Sequence, residues 1–81
     1  MKPYFVYIVL CADKTFYTGV CVDLTKRMAE HNGSAKGAKY TRTRRPVSLV
    51  YSEVCEDRSQ AQKREYALRT LSRAEKIRLT S

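Results

Sequence analysis

Tyr4 to Cys11, YFVYIVLC, is apolar or aromatic at every position and rich in β-branched residues. A strand with one wet face alternates polar and apolar side chains. A run that is apolar on both faces reads instead as a central strand covered on each side. The whole chain has 81 residues, room for one domain spanning 1–81, and a domain this small buries only about 60% of its unfolded surface. A compact α+β unit with a thin core is expected.

Ala12 to Thr15 is turn material, and Phe16 to Val22 is a second β-rich run interrupted by Gly19, where a missing side chain lets another backbone or a ligand approach. The two runs predict a hairpin. Opposed residues of an antiparallel pair share a face, so Tyr7 and Tyr17 lie together only if paired residue numbers have an even sum. A three-residue loop, Asp13-Lys14-Thr15 with Ala12 opposite Phe16, meets this condition and a four-residue loop does not. An odd loop or a bulge is therefore predicted.

Asp23 is a good N-cap for a helix through His31, with Asn32-Gly33 expected as a left-handed stop. Leu24, Arg27, Met28 and His31 form one stripe at i, i+3, i+4 and i+7. Arg27 in such a stripe reads either as a snorkelling side chain or as a phosphate clamp. His31, the single histidine, reads either as a helix-end residue favoured by the dipole or as a proton handler beside Arg27. Gly33 to Pro46 reads as a flexible basic loop, Val47 to Cys55 as a third strand, Arg58 to about Leu71 as a helix, and Arg73 to about Leu79 as a last helix opened by the capping box Ser72-Arg73-Ala74-Glu75. Ala61, Glu65, Leu68 and Leu71 would face inward. A carboxylate there needs a partner: Arg69 at i+4, or a metal ion.

The net charge of +8 points to a polyanion, nucleic acid ahead of membrane. From His31 to Ser52 the chain has no acidic residue, while Lys36, Lys39, Arg42, Arg44 and Arg45 crowd together around Tyr40. Cations neutralise phosphates and an aromatic ring stacks on an unpaired base. The three cysteines show no CxxC or CxxH spacing and read as small buried hydrophobes in a reducing compartment. No apolar run approaches 18 residues and no signal pattern opens the chain, so a cytoplasmic protein without membrane contact is expected. Tyrosine, arginine and histidine within Tyr4–His31 suit phosphodiester cleavage as oxygen base, phosphate clamp and proton handler.

Phe5-Val6-Tyr7, the ten-residue step to Tyr17-Thr18-Gly19, Asp23-Leu24 leading to Arg27 and His31, and a glutamate in a later helix together resemble the GIY-YIG nuclease family. The small stand-alone bacterial-type members are the most similar, through Gly37-Ala38-Lys39-Tyr40-Thr41-Arg42 and Leu71 to Lys76. The resemblance spans essentially the whole chain. Phe5-Val6 stands where the family name has Gly-Ile, Thr18 replaces isoleucine, and the asparagine many members place after the metal glutamate has no counterpart, the chain running instead to Lys76-Ile77-Arg78.

The resemblance implies a three-stranded antiparallel sheet flanked by helices in the order β-β-α-β-α-α, with one divalent ion, Mg²⁺ or alternatively Mn²⁺. It implies Tyr7 as general base, Tyr17 as orderer of water and phosphate, Arg27 as phosphate clamp, His31 as acceptor of the base's proton, Glu65 as metal ligand and Gly19 as the site's structural glycine. The expected activity is a metal-dependent endonuclease on DNA, ahead of RNA, selecting flaps, branches or ends in repair or recombination. The alternatives are a binding module that keeps the fold without turnover, and a structural or ribosome-associated basic protein.

Overall fold

The computed structural model describes residues 3–81. The elements are β1 (Tyr4–Leu10), β2 (Phe16–Cys21), α1 (Leu24–Gly33), α2 (Lys39–Arg42), β3 (Ser48–Cys55), α3 (Arg58–Arg69) and α4 (Arg73–Thr80). The sheet is antiparallel with order β2-β1-β3, so the run that is apolar on both faces is the central strand. Val6, Tyr7, Ile8 and Val9 are all buried.

Alternation along β1 divides the core between the two faces. Val6 and Ile8 pack with Ala61 and Leu68 of α3, joined by Leu71 and by Leu79 of α4. Tyr7, Val9 and Cys11 pack with Val47 on the other face, with Leu24 and Met28 of α1 against them. Burying a large apolar side chain contributes about 1.5–3 kcal/mol, so these two thin layers carry most of the driving force. All three cysteines are free thiols.

The hairpin loop has three residues, as parity requires, but they are Ala12-Asp13-Lys14 rather than Asp13-Lys14-Thr15. Cys11 N donates to Thr15 O at 2.8 Å and Lys14 N to Cys11 O at 2.9 Å. Lys14 takes the left-handed conformation, φ 69°, which closes a three-residue hairpin in step with the strand twist. Asp13 fixes the shifted position, its carboxylate accepting from Thr15 N and Oγ1. The register stays even: Tyr7 opposes Gly19 and Val9 opposes Tyr17. Both phenols therefore lie on the α1 face.

Asp23 caps α1 through Lys26 N, but the helix does not end in a left-handed Asn32-Gly33 stop. Gly33 belongs to the helix, the C-cap is Ser34 in extended conformation, and no described glycine has positive φ. The physical reason is Arg45. Its guanidinium donates to the carbonyls of Glu30, His31 and Ser34, satisfying the helix end that a left-handed residue would otherwise serve. The basic loop is likewise structured, containing the short α2. Asn32 clamps the loop's far end by donating to Val47 O and accepting from Val47 N, at 3.0 and 2.7 Å. Ser72 and Glu75 form the expected reciprocal capping box on α4.

Candidate active site

β2 is an edge strand, and a cavity of about 280 Å³ runs along it, lined from both layers of the molecule. Tyr7, Tyr17, Gly19 and Arg27 contribute from the α1 side; Arg58, Gln62 and Glu65 contribute from α3, with Tyr4 and Val20 completing the wall. Gly19 makes this meeting feasible. A Cβ built on Gly19 would lie 2.6 Å from Tyr7 Cζ and closer still to its phenol oxygen. The phenol thus crosses the edge strand through the space a side chain would fill. The close approach expected at Gly19 is made by a tyrosine of the neighbouring strand, and the glycine serves for space, since its φ is not positive.

Tyr7 Oη lies 2.7 Å from His31 Nε2, and His31 Nδ1 lies 2.9 Å from Thr41 Oγ1. Tyr7, His31 and Thr41 are each no more than 1% exposed. Burial pushes the Tyr7 phenol up to about 12 against the opposing pull of the Arg27 guanidinium, because a phenolate loses its hydration there. Burial also lowers His31 to about 4, reinforced by the positive charges of Arg27 and Arg45. At neutral pH both groups are uncharged, and His31 has one nitrogen lone pair to offer. Its ring meets Tyr7 and Tyr17 edge to face, with centroids 5.7 and 5.5 Å apart.

Arg27 Nη1 donates to Glu30 Oε1 and to Lys36 O, both at 2.9 Å. These contacts fix the guanidinium beside Tyr7 instead of letting it snorkel, and in return Arg27 holds the Glu30 carboxyl below its usual range. Glu65 pairs with Arg69 at 3.6 Å, but Arg69 is 63% exposed while the Glu65 side chain, 24% exposed, lines the cavity. So loose a pair on the surface is worth less than about 1 kcal/mol, and it leaves the carboxylate able to change partners. Among the described residues no three His, Cys, Asp or Glu side chains gather into a ligand group. A single carboxylate beside phenol oxygens suits a hard ion that keeps its waters and takes further oxygens from a phosphate, which is the habit of Mg²⁺.

The basic loop departs from expectation. Arg45, expected to face nucleic acid, is turned inward onto the end of α1, where a cation is favoured by the helix dipole. Tyr40, expected to stack on an unpaired base, stacks on Tyr17 at 5.9 Å with Arg44 3.9 Å from its centroid, and stays 37% exposed. Arg44 also pairs with Asp13 at 3.0 Å, tying the loop to the hairpin. Arg42 donates to Ala35 O yet remains exposed. Lys36 and Lys39 are exposed, and their ammonium groups make no hydrogen bond or ion pair with the described residues.

Residue-by-residue reading missed four contributors. Arg58 and Gln62 stand at i and i+4 before Glu65 at i+7, so the spacing of one helical stripe could have found them. Glu30, three residues after Arg27, could have been paired with it by charge and spacing. Thr41 carried no signal, because nothing local says that a loop threonine will meet a histidine ten residues away.

The chain matches the GIY-YIG catalytic domain over residues 3–78. It is 64% identical over 69 residues to a UPF0213 protein of Desulfotalea psychrophila, a match covering 85% of this chain and 63% of that protein. To a UPF0213 protein of Staphylococcus saprophyticus it is 48% identical over 81 residues, covering 100% and 98%. Among solved structures, that of protein EF2693 from E. faecalis is similar with TM-score 0.63 and 42% identity, covering 94% of this chain and 80% of the other. The UPF0213 protein BH0048 from Bacillus halodurans gives TM-score 0.59 and 40% identity, covering 95% and 81%. Fold, matched span and relatives agree: the chain belongs to the GIY-YIG nuclease family, among its small UPF0213 members.

Proposed function

We propose that this protein is a metal-dependent endonuclease that hydrolyses phosphodiester bonds in DNA, choosing flaps, branches or ends, in repair or recombination. The observation that carries the reading is the convergence of Tyr7, Tyr17, Arg27 and Glu65 on one cavity with His31 hydrogen-bonded behind Tyr7.

A phenol held near 12 is ionised in only about one molecule in 10⁵ at pH 7, so Tyr7 does not work as a standing phenolate. It works as a relay. The attacking water gives its proton to Tyr7 Oη as the Tyr7 proton passes to His31 Nε2, so the phenol oxygen never carries a full charge. The water oxygen bonds to phosphorus, the bond from phosphorus to the leaving oxygen breaks, and that oxygen takes a proton from solvent. His31 then returns its proton through Tyr7. Arg27, braced by Glu30, faces the phosphoryl oxygens where negative charge builds, and Tyr17 donates from the same side of the cavity. Glu65 would hold a divalent ion, which would supply charge neutralisation at the phosphate.

The test is cleavage of labelled duplex, single-stranded, flap and branched DNA, with matched RNA, in Mg²⁺ or EDTA, by wild type, Glu65→Ala and Tyr7→Phe. Mg²⁺-dependent cutting lost in both variants supports the proposal and names the substrate. Equal binding by all three proteins with no cutting overturns it in favour of a binding module.

A further inference from the structure

We propose that Thr41 is a positioning residue that fixes His31 as its Nδ1–H tautomer, leaving the Nε2 lone pair aimed at the Tyr7 hydroxyl. Its catalytic meaning rests on the nuclease reading above; the tautomer itself does not.

Three groups and three protons are involved. Thr41 Oγ1 lies 3.0 Å from Ala38 O, a carbonyl that can only accept, so the threonine hydrogen has a place there and the oxygen's lone pairs face His31 Nδ1 at 2.9 Å. A neutral imidazole donates from one nitrogen and accepts at the other. With Nδ1–H donating to Thr41, Nε2 accepts the Tyr7 hydrogen at 2.7 Å. Every proton then has an acceptor, and the phenol oxygen keeps its lone pairs for a donor in the cavity.

The opposite tautomer serves the same atoms worse. Nε2–H would then donate to the phenol oxygen, leaving the Tyr7 hydrogen to find another acceptor although Tyr7 is 1% exposed. A buried donor without a partner is costly. The one contact favouring that tautomer, Ala38 N to His31 Nδ1, is 3.5 Å long, at the limit of a hydrogen bond. Function separates the two more sharply: with Nε2 already protonated, His31 cannot take the Tyr7 proton.

Thr41 is well placed for this office. It sits in α2 with its side chain wholly buried. The segment leading to it packs tightly on α1, since a Cβ on Gly37 would come within 2.6 Å of Glu30 O and 3.1 Å of His31 Cα. The hydroxyl is therefore held to the imidazole by backbone packing, not by local sequence.

His31 is the single histidine, so long-range ¹⁵N–¹H correlation spectra of uniformly ¹⁵N-labelled protein at pH 7 read this tautomer without assignment ambiguity. Wild type and Thr41→Ser should show Nδ1 protonated and Nε2 bare. Thr41→Val, which removes the acceptor at nearly constant volume, should move the population towards Nε2–H and lower kcat by roughly 10²-fold with KM little changed, and Thr41→Ser should restore it. A wild type protonated at Nε2, or a valine variant with the wild-type spectrum, overturns the proposal. If valine prevents folding, the wild-type spectrum alone decides. An Nδ1–H histidine in a protein that cuts nothing upholds Thr41's role in setting the tautomer and removes the nuclease reading instead.

Discussion

Tyr7 reaches its place only because residue 19 has no side chain. The atoms that a new methyl would strike belong to a ring held on one side by His31 and packed in the core on the others, so the phenol must leave its hydrogen bond. Gly19→Ala should keep the fold, as judged by amide spectra, and lower cleavage by about 10²-fold or more; a near wild-type rate would show that the phenol's path over the edge strand is dispensable. His31 gives a second outcome at this scale. Its folded-state value of about 4 lies below the ordinary 6.5, so between those limits the unfolded chain binds more protons. Stability is then complete above about pH 6.5 and is lost as pH falls towards 4. Between pH 7 and 5 the loss should be about 2 kcal/mol. Urea midpoints at the two pH values measure it, and His31→Gln should flatten the difference. Facing the imidazole are Tyr7 from β1, Tyr17 from β2, Arg27 from α1 and Arg45 from the loop. The adjacent Glu30 carboxylate pulls the other way, but burial and Arg27 outweigh it and the direction stays downward.

Among the elements, the segment between α1 and β3 owes its order to side chains that its composition assigns to solvent. Arg45 holds the end of α1, Arg44 bridges to Asp13 of the hairpin, and Asn32 pairs with both backbone groups of Val47. Replacing Arg45 by Gln removes charge-assisted bonds to part-buried carbonyls and should cost about 1–3 kcal/mol, read as a lower urea midpoint together with faster amide exchange over residues 36–44. An unchanged midpoint would mean that α1 needs no cap from the loop. Helix α3 divides its stripes more simply: Ala61 and Leu68 enter the core, while Arg58, Gln62 and Glu65 face the cavity. One helix thus contributes both to folding and to the site.

At the scale of the molecule, the strand order decides what the two helical layers can share. With β1 central and β2 at the edge, α1 and α3 lie on opposite faces, and the place where residues from both converge is along β2, over Gly19. The cations behind the net charge of +8 are not equivalent, since Arg45 holds the end of α1 while Lys36 and Lys39 are exposed to solvent. Each lysine that meets a phosphate of duplex DNA should contribute about one unit to the salt slope of binding. Lys36→Gln and Lys39→Gln should therefore each flatten log Kobs against log salt by about 1, and Arg45→Gln should leave the slope alone. If the Arg45 variant flattens it as much as the lysine variants do, the division between structural and substrate-facing cations is wrong.

The sequence by itself determined every element but α2, their order and the parity of the hairpin, because period-2 and period-3.6 patterns, caps and turn residues act over a few residues and can be read there. The central strand, the stripe Leu24-Arg27-Met28-His31 and the capping box at Ser72 all follow from such local rules. Only the tertiary structure decided the rest. Which cations face outward, which ring faces are free, where Arg58 points and that Thr41 meets His31 depend on backbones brought together from distant parts of the chain, and no local period encodes that distance. Arg45 and Lys36 are alike as basic loop residues in the sequence. They differ because one lies against the carbonyls of Glu30, His31 and Ser34 at the end of α1 and the other does not.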